Sequence, residues 1–509
     1  LCASVWVQTA GDLRSLMTQY TRGVNGVLVD DYTAALRAEE WFQDDEPSLL
    51  RLPMVIGHRG DPSTYPENTL ESAACAIDEG ADAVENDIQL STDGELFILH
   101  DDSPRRLLGI LDAARSEDLS LGELQARSFL WDDENYGILR RNKVDLEHSR
   151  YGYFVGQDEG KAYTVPTFRA FLETFRDTGI VHDTEIKSYR PEILPVLREL
   201  VDSCDAWDQI FTITFNVSIL DAIYADYPEI SVGALGFAKE GDTIWTPCFG
   251  ELEKIAATEG AEAALAQLCS VVDRWNATYN PNLTAFGRDA VKAGRHRGLT
   301  VWPWTYDEKA DFARDYLFCV SGLTTDYPWW ASDFVEEIES GDLTVAGAIP
   351  RPRGRTRRGD WVTLETAEPV LLQADYEDGA DLMVWRYRAP MVLDGEEYGS
   401  YYLYSEPFLV RQRSTLVYAL PNGSSAIVSG GVYGVFRVRP EAPGPGARVH
   451  VISRSCPGYT ARPVTLWSRL YGAIPAVPQA DGSWAYYQPP GPVKIRAGFV
   501  PAVRRSSDR

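Results

Sequence analysis

The sequence predicts an α/β protein: a (β/α)8 TIM barrel with an inserted excursion, followed by a C-terminal all-β, sandwich-like domain. Three observations carry this. Short apolar runs alternate with helical patterns between Met54 and Asp326. One further run is set apart from that series by a tight Asp93-Gly94 turn. Beyond Gly341 the pattern changes to alternating runs separated by turn residues.

The runs that read as barrel strands are Met54–His58, Asp82–Asp87, Val181–Ile186, Ile210–Phe215, Ile230–Leu235, Ser270–Arg274, Thr300–Trp304 and Leu323–Asp326. Parallel neighbours need a crossover of about a dozen residues or more. The run Glu95–His100 lacks one, since only Ser91-Thr92-Asp93-Gly94 precedes it. It therefore folds back antiparallel, which brings His100 beside Glu85–Asp87. Residues 102–165 show no βα period and read as the excursion within a barrel domain spanning 52–338. Pro350–Arg358 is basic and Pro/Gly-bearing, and marks a linker over 339–359. Trp361–Thr366, Tyr401–Tyr404, Thr415–Ala419 and Val432–Val438 read as strands of an accessory domain at 360–445. The aromatic, Pro-rich segment 446–509 takes no assignment.

An internal repeat accompanies this order. Val5, Trp6 and Thr9 stand at one constant spacing from Val301, Trp302 and Thr305. Tyr20, Val24, Gly26 and Asp30 stand at that spacing from Tyr316, Val320, Gly322 and Asp326. The repeated unit is strand, helix, strand. Residues 1–45 thus read as the C-terminal end of a preceding homologous barrel, with Gln8 where Trp304 stands.

At 509 residues the chain exceeds one ordinary domain. Its formal net charge of −27 argues against nucleic acid or an anionic membrane as partner. It does not argue against a phosphorylated substrate, because a bound cation reverses charge locally. The seven cysteines form no CxxC pair, so a zinc ribbon or disulfide framework is not expected. No run of about 18 apolar residues is present, so no spanning helix is expected. The sequence starts at Leu1 without Met and shows no signal peptide.

The chemistry-bearing residues come in a fixed order: Gly57-His58-Arg59-Gly60, Pro66-Glu67-Asn68-Thr69, Glu85-Asn86-Asp87, His100-Asp101, Glu185-Ile186-Lys187, Trp302-Pro303-Trp304-Thr305 and Thr325-Asp326-Tyr327-Pro328. Each piece is a weak motif. Together, in this order and spacing, they resemble the glycerophosphodiester phosphodiesterase family. Thr214-Phe215 stands where that family often has Ser-Phe, and Pro303 intrudes in the Trp304 strand.

The residues themselves point the same way. Glu85 and Asp87 are two apart on a strand, so both project to one face. Two carboxylates there repel unless a cation sits between them or one takes a proton. Glu185, ending the next barrel strand, adds a third oxygen donor. Three carboxylates without Cys or His suit a hard cation, Ca²⁺ or Mg²⁺. The resemblance implies the same three metal ligands. Histidine suits proton transfer near neutral pH. His58 and His100 each follow an apolar strand, and the resemblance implies that they are the acid/base couple. His148, His182, His296 and His450 read as structural.

Arg59 and Lys187 are cations placed to hold phosphate oxygens. Glu67 either orients Arg59 or His58, supports the metal indirectly, or caps a helix; Asn68 and Thr69 read as caps of the helix Leu70–Glu79. Trp304 resembles the family's aromatic wall against the substrate glycerol, core packing being the alternative.

The resemblance implies cleavage of a small phosphodiester to sn-glycerol 3-phosphate and an alcohol. A lysophospholipase D-like reaction, a glycerol-phosphate polymer substrate and a noncatalytic binding barrel are the competing readings. The β-domain resembles accessory domains of extracellular hydrolases, which implies glycan or cell-wall contact and favours a secreted or cell-surface setting.

Overall fold

The computed structural model describes residues 5–42, 47–130, 162–236, parts of 254–281, 300–318, 320–339, 352–377, 380–411, 415–429, 433–455 and 459–501. The chain divides into two compact units: one holds 51–334 with 1–6 and 390–399, the other holds 7–50, 335–389 and 400–509.

In chain order the first elements are β1 (Trp6–Gln8), α1 (Leu13–Thr21), β2 (Gly26–Leu28) and α2 (Tyr32–Glu39). Asp12 caps α1 by accepting from Ser15 N–H, and Asp31 caps α2 through Thr33 and Ala34.

The barrel follows. Its strands are β3 (Met54–Gly57), β4 (Ala83–Leu90), β5 (Leu96–Ile98), β6 (Val181–Ile186), β7 (Ile210–Thr214), β8 (Val232–Gly236), β9 (Thr278–Pro281) and β10 (Gly322–Thr325). The parallel order is β10-β3-β4-β6-β7-β8-β9, so the last strand closes on the first. Only β5 runs antiparallel, against β4, with Ile88 opposite Ile98 and Leu90 opposite Leu96. This is the hairpin that the Asp93-Gly94 turn requires, with Gly94 at φ +83°.

Helices α3 (Leu70–Asp78), α6 (Phe168–Thr174), α7 (Ile193–Cys204), α8 (Val217–Asp226) and α9 (Lys309–Leu317) belong to this unit, together with α4 (Arg105–Leu108) and α5 (Leu121–Gln125) of the excursion. In α7 the buried residues are Ile193, Leu194, Leu197, Leu200, Val201 and Cys204, one stripe at the helical period. Inside the sheet, Ile56, Ala83, Val181, Phe211, Ile213, Leu235 and Trp302 pack as one core cluster.

The repeat extends to the elements. Helices α1 and α9, and the strands that follow them, begin at the same constant spacing as the repeated residues.

Three strand-level expectations are corrected. Asp273–Trp275, at the end of the expected strand Ser270–Arg274, is helical, and the barrel strand is Thr278–Pro281. Ser270–Val272 lie outside the described residues, and Asn276 turns the chain at φ +50° before β9. Thr300–Trp304 makes only partial pairing: Ser321 N–H donates to the Val301 carbonyl at 3.0 Å and Thr324 N–H to the Pro303 carbonyl at 3.2 Å. Pro303 has no N–H to return, so no regular ladder forms. The basic stretch expected as a linker contains a strand, Arg353–Thr356, paired antiparallel with Val335–Glu339 and Trp361–Thr363. There Arg353 and Arg355 lie over the Trp361 ring, a stacking that offsets their charge. Most of the excursion, residues 131–161, lies outside the described residues.

The second unit is largely antiparallel sheet. The segment left without assignment supplies Arg448–Ser455 and Val493–Pro501. The first pairs with Gly434–Arg439, and the second lies parallel to Ser425–Ser429. Against this unit's Val370, Leu372, Leu382, Val384 and Tyr404 pack Leu16, Met17, Ala35, Ala38 and Phe42 from the N-terminal helices. Asp12, the cap of α1, also accepts from Tyr376 Oη at 2.6 Å.

Strand β6 sets up a testable contrast. Successive residues face opposite sides. His182 projects into a cage of Phe168, Phe171 and Phe175, with ring centroids 6.3, 6.4 and 6.3 Å away. Among the described residues neither ring nitrogen has a hydrogen-bond partner. Burial pulls its pKa down to about 4. The unfolded chain then binds the proton more readily between about pH 4 and pH 6.5, so stability is full above 6.5 and falls as pH drops through that window. The slope approaches about 1.4 kcal/mol per pH unit. His182→Leu is expected to flatten it: urea midpoints at pH 7.5 and pH 5.0 should differ less in the variant than in the parent. An equal acid loss in both would show that His182 does not carry it.

Candidate active site

The site is built at the C-terminal ends of β3, β4, β6 and β10 and on the β4–β5 hairpin. Along the parallel ladder Glu85 pairs with Asp183, and Asp87 with Glu185. Period-2 alternation then turns all four carboxyl groups toward the barrel interior. All four residues are buried. Ligand oxygens of Glu85, Asp87 and Glu185 lie within 4.8 Å of one another.

Like charges this close and this dry must be neutralised. Burial, with the charge of Asp87, pushes the Glu85 carboxyl well above its ordinary range. Glu185 is raised as well, first by burial, although Lys187 Nζ lies 2.9 Å from its Oε1. For Asp87 burial acts upward too, but His100, Lys187 and Arg59 outweigh it and hold the group low. Asp87 Oδ1 makes no hydrogen bond among the described residues, its nearest cation being Lys187 Nζ at 3.8 Å. Oxygen-only, buried, anionic and incompletely satisfied, these three residues fit a divalent cation of the hard class.

The turn after β3 places the next groups. His58 N–H donates to the Thr325 carbonyl at 2.8 Å, which ties the turn to the last strand. Arg59 (φ +56°) and Gly60 (φ +92°) then reverse the chain in the left-handed region. This aims Arg59 N–H at Glu85 Oε2, 2.8 Å away, while the Arg59 side chain reaches Asp87 Oδ2 at 3.6 Å and Glu67 Oε1 at 3.0 Å. Thr69 caps α3 through Ser72 N–H. Asn68, expected as a cap, instead brackets Asp87: its Nδ2 donates to Oδ2 at 2.7 Å and its Oδ1 accepts from Asp87 N–H at 3.2 Å. Its left-handed backbone (φ +61°) turns the side chain inward, away from the helix.

Each of the two histidines is backed by a carboxylate. His58 Nδ1 lies 2.6 Å from Asp326 Oδ1, and His100 Nδ1 lies 2.9 Å from Asp101 Oδ1. Asp326 shares a further hydrogen bond with Asp307, whose carboxyl is pushed up to about 6 by burial and by the charge of Asp326. Asp101 is gripped by Arg106, with Nε 2.7 Å from Oδ2 and Nη2 2.9 Å from Oδ1. The same guanidinium binds Glu67, Nη2 to Oε1 at 2.7 Å. Glu67 therefore sits between Arg59 and Arg106, and an ionic chain runs from Arg59 through Glu67, Arg106 and Asp101 to His100.

Two cavities meet at His100. The smaller, about 190 Å³, is lined by His58, Arg59, Glu85, Asp183, Ile213, Leu235 and Trp304 among others. Trp304 donates its indole N–H to the Asn280 carbonyl at 3.0 Å and packs edge-to-face on Phe215. The larger, about 710 Å³, is lined by Asp101, Asp102, Ser103, Arg105, Tyr189 and Asn216 among others. Glu185, Lys187 and Phe215 border both.

Of the predicted set, His58, His100, Glu85, Glu185, Arg59, Lys187 and Trp304 line one cavity, with Asp87 in the carboxylate cluster beside it and Glu67 behind Arg59. Sequence reasoning missed Asp326, Asp101, Arg106, Asn68 and Asp183. Asp101 and Asp326 sat within the motifs, and position alone could have found them: one adjoins His100, the other ends the strand beside β3.

Three clustered carboxylates, two carboxylate-backed histidines and two half-buried cations at a barrel mouth suit a phosphoric diester hydrolase. The model of the glycerophosphoryl diester phosphodiesterase family matches residues 58–329, and the chain belongs to that family. It is 23% identical over 285 residues to a glycerophosphodiester phosphodiesterase of Caldanaerobacter subterraneus, covering 54% of this chain and 94% of that one. A glycerophosphodiester phosphodiesterase of Bacillus altitudinis is 25% identical over 292 residues, covering 56% and 99%. Among solved structures, an Oleispira antarctica phosphodiesterase in complex with the product sn-glycerol-3-phosphate matches at 22% identity and a TM-score of 0.40, over 55% of this chain and 94% of that one.

The turn that orients Arg59 has no room for a side chain at Gly60. A Cβ there would meet Ser72 Oγ at 2.3 Å and the Ser72 backbone at 2.5 Å, in a φ that disfavours L-residues. Gly60→Ala is expected to cost roughly 2–4 kcal/mol of stability through strain and overpacking. Chemical denaturation would measure it, and a loss under ~0.5 kcal/mol would refute the constraint.

Proposed function

We propose that this chain hydrolyses glycerophosphodiesters to sn-glycerol 3-phosphate and an alcohol, with His58 and His100 as the acid/base couple and a divalent cation, Ca²⁺ or Mg²⁺, held by Glu85, Asp87 and Glu185. The observation that carries this reading is the pair of carboxylate-backed histidines facing the carboxylate cluster. When bound, the cation neutralises and polarises the phosphate. The rest falls to the protein. Arg59 and Lys187 hold nonbridging oxygens and stabilise charge as it builds. Asp326 and Asp101 fix each imidazole through Nδ1, which leaves Nε2 as the proton-transferring atom.

The cavities divide the labour. His58 lines the smaller one, whose apolar wall of Ile213, Leu235 and Trp304 suits the carbons of glycerol. His100 borders both, at the passage into the larger, more polar groove that suits the alcohol. His58 therefore takes the proton from the nucleophile, either water, which gives sn-glycerol 3-phosphate directly, or the neighbouring glycerol hydroxyl, which gives a cyclic phosphate that water then opens, His100 deprotonating the water and His58 returning a proton to the ring oxygen. His100 gives one to the departing alkoxide. A lysophospholipid would have to seat its acyl chain with the glycerol, and about 190 Å³ favours an unacylated glycerol instead. Side-by-side assays of glycerophosphocholine, lysophosphatidylcholine and a glycerol-phosphate polymer test that preference.

Either His58→Ala or His100→Ala is expected to lower turnover about 10²–10⁴-fold with the fold intact by circular dichroism. Asp326→Asn should fall in the same direction, since the imidazole loses its orienting carboxylate. Near-parental turnover in both histidine variants would sink the assignment. Chelation with EDTA should abolish turnover, and Ca²⁺ or Mg²⁺ should restore it in the parent but not in Glu185→Gln at equal concentration. Activity that survives chelation would remove the cation from the reading.

A further inference from the structure

We infer that Asp183 reads a hydroxyl of the glycerol moiety, making the floor of the smaller cavity a site for a three-carbon polyol; the inference rests on the phosphodiesterase reading above. Asp183 occupies β6 two residues before Glu185, on the same inward face, opposite Glu85 in register. It is 1% exposed and lines the 190 Å³ cavity. Its neighbour His182 faces the aromatic cage on the other side of the strand, as the alternation requires.

The other carboxylates and the cations that line this cavity have partners. Glu85 accepts from Arg59 N–H, Arg59 is held by Glu67, and Glu185 is held by Lys187. The Asn280 side chain accepts from Thr278 Oγ1 and its carbonyl from Trp304. Asp183 Oδ1, in contrast, has no hydrogen-bond partner among the described residues. A buried carboxyl that lines a cavity and keeps an unmatched oxygen is the mark of a group that a ligand completes.

The chemistry of that ligand follows from the walls. Ile213, Leu235 and Trp304 accept carbon. Arg59 and Lys187 are the cations that line this cavity and draw the phosphate oxygens to their end, which leaves a neutral hydroxyl to meet Asp183. Asp183 stands apart from the cation cluster, which comprises Glu85, Asp87 and Glu185. Sites built to hydrogen-bond a hydroxyl discriminate against analogues that lack it, because the buried partner is then left unpaired.

The test compares glycerophosphoethanolamine with its 1,2-propanediol analogue, which lacks the terminal hydroxyl, on the Mg²⁺-loaded parent, Asp183→Asn and Asp183→Val. The parent should prefer glycerol roughly ten- to hundredfold in kcat/KM. Asp183→Val should lose that factor on the glycerol substrate alone, while Asp183→Asn, still able to bond a hydroxyl, keeps most of it. Calorimetric Mg²⁺ affinity should be unchanged in Asp183→Asn. Equal losses on both substrates, or weakened Mg²⁺ binding in Asp183→Asn, would overturn the proposal by making Asp183 a support of the cation site. If the parent cleaves neither substrate, the phosphodiesterase reading fails by itself. Binding of sn-glycerol 3-phosphate against 1,2-propanediol phosphate then decides the hydroxyl site: a parental preference lost in Asp183→Val upholds it, and equal affinities reject it.

Discussion

The burial of carboxylates on two neighbouring parallel strands is the constraint from which the rest of the site follows. Glu85, Asp87, Asp183 and Glu185 share one barrel interior because their strands pair in register and alternate in phase. Two unit charges 4 Å apart interact by about 4 kcal/mol even at an effective dielectric of 20. Such a cluster persists only where compensating groups are fixed around it. The left-handed turn at Arg59 and Gly60 supplies one backbone N–H and one guanidinium from a single residue. Lys187 supplies an ammonium from just past the strand that carries Glu185, and Asn68 holds Asp87 at Oδ2 and at its backbone N–H. The cation that these carboxylates fit belongs to the same balance.

Much of this was legible in sequence, for identifiable reasons. Strand period and the Asp93-Gly94 turn put His100 near Glu85 and Asp87 before any coordinates, since both are local rules. The residues that brace the site were not legible in that way. Asp326 meets His58 across the first and last strands, and Arg106 meets Glu67 from the excursion. Such partners depend on closure of the whole sheet. Asn68 was misread because a capping residue and an inward-turned, left-handed Asn look alike in sequence. The end of the strand expected at Ser270–Arg274, Asp273 and Arg274, is helical for a plainer reason: short apolar runs do not separate helix from strand.

The second unit shows the complementary case. Its strands were partly visible, but the segment from Arg448 hid its pairing among aromatic and proline residues. The pairing partners Ser425–Ser429 and Val493–Pro501 are parallel and far apart in sequence, beyond the reach of turn signals. The N-terminal helices likewise reveal their burial only through contacts with Val370, Leu382 and Tyr404.

The contact between His58 and Asp326 joins side chains 268 residues apart. It also lies at the ends of β10 and β3, the last and first parallel strands in chain order, which pair side by side. The His58 imidazole is therefore oriented by the last strand of the barrel rather than by any local motif. A chain that stopped before β10 would keep the carboxylates of β4 and β6 but lack the one that His58 meets, so almost the whole length of the barrel domain separates the first turn of the site from the group that completes it.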